Sequence, residues 1–249
     1  MNTTLKFLVI GILVLVFSSC DNDTEESTPT PTLPSNLINK IMPLGGSRVE
    51  GNRPDFESFR YELWKDLTEN GWTFDYIGTQ SDNTTYPAFN NSNFDTDHEG
   101  RGGWTSGQIL DGLDGWVSQA GTPDIVLFSS PAGNDGLQNL PYNEAVANIN
   151  SIIDILQATN PNVTIIIEQM APPRSDSMTG ELATYLNQLQ QDVLTIASEQ
   201  STASSQVIAI DMYTGFTDAL LADDVHYNEA GADFIAQRYY NVLAGVLAE

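Results

Sequence analysis

Five short apolar segments, each followed by a stretch with helical spacing, limit what this chain can fold into more than any other feature. They are KIMPLG (40–45), WTFDYIG (72–78), DIVLFSS (124–130), VTIIIEQ (163–169) and QVIAID (206–211). Near-continuous apolar runs of this length read as strands covered on both faces. Between the first two, DFESFRYELWKDLTENG repeats Phe56, Phe59, Leu63 and Leu67 at threes and fours and stops at Gly71. Helical patterns follow over 106–119, 143–161, 180–200 and 228–249, the first of them weakened by its glycines. Strand alternating with helix predicts an α/β fold. The expected form is a three-layer α/β/α sandwich with a five-stranded, doubly wound parallel sheet, because right-handed crossovers leave few other orders.

In such sheets, sites lie beyond the carboxyl ends of the strands. After the first strand come Gly45, Gly46 and Ser47; after the third comes PAGNDG (131–136), with Asn134 placed to point an amide into a site. After the fifth strand, ADDVHYNEAG sets Asp223 three residues before His226, with Asp224 competing for the same role. A carboxylate on imidazole Nδ1 orients the ring and stabilises the imidazolium. Each segment alone also reads as an ordinary turn or helix cap.

Histidine is scarce: the chain has two, His98 and His226. With one cysteine besides, the usual zinc ligand sets are not available. If a serine acts as nucleophile, its base is one of these two histidines; His226 has a carboxylate at suitable spacing and lies after a strand, where such a site would need it. Between strands two and three, FDTDHEGRGGWTSGQI holds Asp95, Asp97 and Glu99, whose spacing departs from a calcium loop, so no metal is expected. In the same stretch Gly103 and Trp104 precede a helix capped by Thr105 or Ser106. Backbone N–H groups there can receive developing negative charge.

The ends of the chain carry a different message. FLVIGILVLVF (7–17) is too short to span a bilayer comfortably and fits the apolar region of an export signal. It runs into SSC, which resembles a bacterial lipobox, so residues 1–19 are expected to be a signal peptide and Cys20 the lipidated residue. Residues 20–36, acidic and then Thr/Pro-rich, read as a tether, leaving one domain over 37–249. Leader and tether hold one Lys and four acids, so the domain carries −21 of the net −24. That charge excludes nucleic acid as a partner and suits a neutral substrate; the only membrane contact expected is the lipid anchor.

Together these blocks resemble the SGNH (GDSL-type) hydrolase superfamily over essentially the whole domain. Its four blocks appear in order as IMPLGGSRVEG, HEGRGGWTSGQI, PAGNDG and DDVH. Within it the chain is similar to bacterial acetylxylan-esterase-like carbohydrate esterases. The resemblance implies a flavodoxin-like sheet, Ser47 as nucleophile, His226 and Asp223 as acid–base pair, and an oxyanion hole of Ser47, Gly103 and Asn134. It implies a monomeric ester hydrolase, without cofactor, acting on an acetylated carbohydrate at the outer membrane or cell surface. Arg48 and Trp104 are candidate substrate-binding residues. Two positions depart from the pattern: Gly46 stands for the family's Asp and Ala132 for its Gly. No contiguous apolar stretch marks a groove for a long acyl chain.

Overall fold

The computed structural model describes residues 38–248, so the expected signal peptide, Cys20 and the tether lie outside the described residues. Strands β1 (Lys40–Gly45), β2 (Asp75–Tyr76), β3 (Gln80–Ser81), β4 (Asp97–Gly100), β5 (Ile125–Phe128), β6 (Thr164–Gln169) and β7 (Val207–Asp211) form one sheet. Helices α1 (Ser47–Glu50), α2 (Arg60–Glu69), α3 (Ser106–Ala120), α4 (Gly133–Leu137), α5 (Tyr142–Thr159), α6 (Gly180–Gln200) and α7 (Glu229–Leu243) surround it. Among the described residues no helix is long and apolar enough to cross a membrane.

One edge of β1 pairs in parallel with β5, from Ile41–Ile125 to Leu44–Phe128. Its other edge is shared. β2 pairs with Lys40 and Ile41, and β4 with Leu44 and Gly45. β6 and β7 follow β5 in parallel, which is the expected doubly wound order. The short β3 and β4, an antiparallel pair at the edge, have no counterpart in the apolar pattern, because β4 reads DHEG.

Alternation along each strand sends side chains to two separate cores. Met42, Val126, Phe128, Ile165 and Ile167 pack under α3, α5 and α6, including Leu113, Ile149, Ile153, Leu189 and Val193. Ile41, Ile125, Leu127 and Ile166 pack under α2 and α7, against Leu63, Leu67, Ile235 and Tyr239. The glycine-containing α3 is secured at its start by a reciprocal cap: Thr105 accepts from Gln108 N–H while the Gln108 side chain accepts from Thr105 N–H. α2 begins at Arg60, later than its apolar period suggests; residues 52–58 form a turn in which Glu57 bridges to Tyr227. That turn delivers Phe56 to the site described next.

Candidate active site

β1 and β5 lie where the order of the sheet reverses, and their carboxyl ends open a crevice. Ser47 follows β1 and opens α1; Asn134 follows β5 in α4. The third contributor arrives from the loop before α7, where Asn228 caps the helix by accepting from Gly231 N–H at 3.0 Å. Two residues earlier, His226 Nε2 lies 2.8 Å from Ser47 Oγ, and its Nδ1 lies 2.7 Å from Asp223 Oδ2.

Asp223 is fastened before it meets the ring. Its Oδ1 accepts from the N–H groups of Val225 and His226, both at 2.8 Å. Burial alone would raise its pKa; the His226 ring and these N–H groups outweigh that and hold the carboxyl below its ordinary value. An ionised carboxylate only accepts, so Nδ1 carries the hydrogen and Nε2 presents its lone pair to the serine hydroxyl. Phe56 stacks on the imidazole at 3.8 Å between centroids, with the planes 14° apart. No pattern in the sequence marks Phe56 for this task, since it reads as one more apolar helix position. The competitor Asp224 is turned toward Arg174, 3.7 Å away.

Gly103 and Asn134 line the same open bowl as Ser47, Phe56 and His226. As the first residue of α1, Ser47 has an N–H with no preceding turn to accept it. The Asn134 amide donates to Trp104 O at 2.7 Å, leaving its second N–H for a ligand. Its neighbour Asp135 accepts from Ser106 N–H and Oγ–H at 2.8 and 2.7 Å, tying α4 to the start of α3. A Cβ at Gly46 would meet Asn134 Nδ2 at 2.9 Å, so the approach of this amide to the Ser47 turn depends on glycine there. Ala132, by contrast, holds φ 54°, a conformation suited to the glycine it replaces.

With Gly46 in place of the acid, Arg48 secures the turn. It is buried, and its Nε and Nη1 donate to Val225 O and Ala171 O, each at 2.7 Å, and its Nη2 to Pro172 O at 3.3 Å. The guanidinium also lies 4.8 Å from the Tyr227 ring centroid. Arg48 therefore joins the residue after Ser47 to the residue before His226.

On the other side of Ser47, away from His226, the crevice becomes apolar. Trp104, Ile109, Ala132, Met170, Leu182 and Leu186 form its walls. They come from α3 and α6 and from the segments before α3, after β5 and after β6, which is why no contiguous stretch announces the cleft. Trp104 also packs on Trp116 at 5.6 Å. Asp95, Asp97 and Glu99 form no metal-ligand cluster among the described residues. Asp95 accepts from Tyr76 N–H and Glu99 is paired with Arg101.

Residues 44–234 match the model of the GDSL-like lipase/acylhydrolase family. A carbohydrate esterase family 3 protein from Talaromyces cellulolyticus is 27% identical, with a TM-score of 0.72 over 84% of this chain and 98% of its own. A family 3 carbohydrate esterase from Clostridium thermocellum is 28% identical, with a TM-score of 0.67 over 85% of this chain and 99% of its own. An acetyl xylan esterase, 17% identical with a TM-score of 0.60 over 82% of this chain and 99% of its own, shares the fold. No curated protein matches the sequence.

Proposed function

The chain belongs to the GDSL-like lipase/acylhydrolase family and is a carboxylic ester hydrolase, and from that premise we propose that it removes O-acetyl groups from a polysaccharide or oligosaccharide. The observation that carries this reading is the unbroken line from Asp223 through His226 to Ser47, with steps of 2.7 and 2.8 Å. Ser47 Oγ attacks the acyl carbonyl as His226 Nε2 takes its proton, and Asp223 stabilises the imidazolium. N–H donors of Ser47, Gly103 and Asn134 receive the oxyanion. His226 then protonates the leaving sugar alcohol. Water attacks the acyl-serine, its proton passes to His226, and acetate leaves as Ser47 Oγ is reprotonated.

Two features support a short acyl group on a carbohydrate. The lobe beside His226 is open and has Glu50, Asn52 and Asn134 among its walls, partners for a leaving alcohol; the lobe on the other side of Ser47 is apolar and receives the methyl. The solved relatives at 27% and 28% identity are carbohydrate esterases by description. The apolar lobe also favours a second reading, hydrolysis of longer acyl esters. Faster turnover of p-nitrophenyl octanoate than of the acetate would select it.

The test compares wild type and Ser47→Ala on p-nitrophenyl acetate and on acetylated xylan. Ser47→Ala is expected to lose at least about 10³ in kcat. A folded wild type that turns over no short ester would reject the reading. For the termini we propose lipidation at Cys20 and display of a monomer at the outer membrane or cell surface, which a lipid-adduct mass on the mature N-terminus would test. A lipid chain adds about 0.8 kcal/mol per buried CH₂, so several chains hold such a protein firmly.

A further inference from the structure

The open bowl around Ser47 and His226 does not end at the reacting atoms. Glu50, Gly51 and Asn52 form one of its walls and also one wall of a second polar cleft, lined further by Gln80, Asn83 and Thr84. The two clefts therefore adjoin. The floor of the second is rigid: Asp82 pairs with Arg60 at 2.7 Å, accepts from Tyr86 OH at 2.8 Å and from His98 at 3.1 Å. A preformed floor lowers the ordering cost of binding.

Glu50 stands at the divide. Its side chain is half-buried, yet its carboxylate has no hydrogen-bonded or ion-paired partner among the described residues. It fills the space left by the absent side chain of Gly102, where a Cβ would come within 2.5 Å of Oε2. That puts an acceptor-only group beside Gly102, on the wall that the two clefts share. Asn83, exposed on the far wall, also has no side-chain partner among the described residues. A carboxylate that only accepts and an amide that donates and accepts suit hydroxyl groups, which do both. The carboxylate and the domain's net −21 oppose an anionic ligand.

We propose that this second cleft is a subsite for a neutral sugar residue adjoining the one deacetylated at Ser47, with Glu50 and Asn83 holding its hydroxyls. The subsite rests on reading Ser47 as the centre of a carbohydrate esterase, so its test measures binding apart from turnover. Unacetylated tetrasaccharides of xylose, mannose and glucose, and the three monosaccharides, are titrated calorimetrically into wild type, Glu50→Gln and Asn83→Ala. At least one tetrasaccharide is expected to bind more tightly than its monosaccharide. Glu50→Gln should weaken it about tenfold, the worth of a hydrogen bond to a charged group. Asn83→Ala should weaken it less, with kcat/KM on p-nitrophenyl acetate within about twofold of wild type, as expected of an exposed site away from the chemistry. If no tetrasaccharide outbinds its monosaccharide, or both variants bind as wild type does, the subsite is wrong. Failure of wild type on p-nitrophenyl acetate would strike the esterase reading instead.

Discussion

The two histidines of this protein are both paired with an aspartate, and they are built for opposite ends. His226 gives Nδ1–H to Asp223 and turns Nε2 to the Ser47 hydroxyl in an open bowl. His98 has the other tautomer: its Nδ1 accepts from Gly100 N–H at 2.9 Å, so Nε2 carries the hydrogen and donates to Asp82. Burial first, and then the charge of Arg60, outweigh Asp82 and push the His98 pKa down to about 4. His98 is thus a neutral, buried strut in the edge pair β3–β4, with both nitrogens occupied by the fold. A histidine beside an aspartate is common to both; a free nitrogen facing an accessible hydroxyl belongs to one. The latter arrangement is what general-base chemistry needs.

The contrast breaks most easily on activity. His226→Ala should lose at least about 10³ in kcat on p-nitrophenyl acetate, whereas His98→Asn should keep kcat per folded molecule within about threefold. Equal losses would erase the distinction. Asp223→Asn, which spoils the tautomer, should cost about 10²–10⁴ in kcat. Asp82→Asn should instead show itself as a lowered Tm, because it removes a partner of buried Arg60.

The next effect is read as stability. The folded pKa of His98, about 4, lies below the ordinary imidazole value of 6.5. The unfolded chain therefore binds the proton first over that window. Stability contributed by neutral His98 is complete above about pH 6.5 and declines as pH falls toward 4. Relative to His98→Asn, wild type should lose on the order of 3 kcal/mol between pH 7 and pH 4 in denaturant titrations. A flat difference would mean that His98 is not buried neutral.

The smallest effect concerns the tie between the Ser47 and His226 loops. Arg48→Met should lower kcat about tenfold with KM for p-nitrophenyl acetate unchanged, because Val225 O and the His226 loop lose their anchor to the serine turn. Arg48→Lys should recover part of that loss. A change confined to KM would return Arg48 to the role of substrate contact.

Much of this was legible in the residues. The apolar runs of β1, β5, β6 and β7 announce a parallel sheet because both faces are covered, and α6 spans the predicted 180–200. Where one side of an element stays polar, the pattern weakens. β4 (DHEG) is invisible to it, and β2 is shorter than 72–78 because β1 gives that edge to β4 beyond Ile41. Phe56 keeps the period of α2 without belonging to the helix, since the chain turns at 52–58 to reach Tyr227. The spacing of Asp223 and His226 is local, so a single tight turn could be foreseen. The apolar lobe could not, because its walls come from segments distant in sequence.

By itself, then, the sequence determined the alternation of elements, the two buried faces of the sheet and the short list of groups able to do chemistry at strand ends. Those follow from local periodicity and residue type. Only the tertiary structure decided which histidine has a reacting partner, since Ser47 and His226 are 179 positions apart and meet solely through the order of the sheet. It likewise decided that Arg48 faces the backbone of the His226 loop, and that Glu50 has no partner for its carboxylate among the described residues. Contacts of that kind depend on which loops the folded sheet brings together, and no local pattern encodes them.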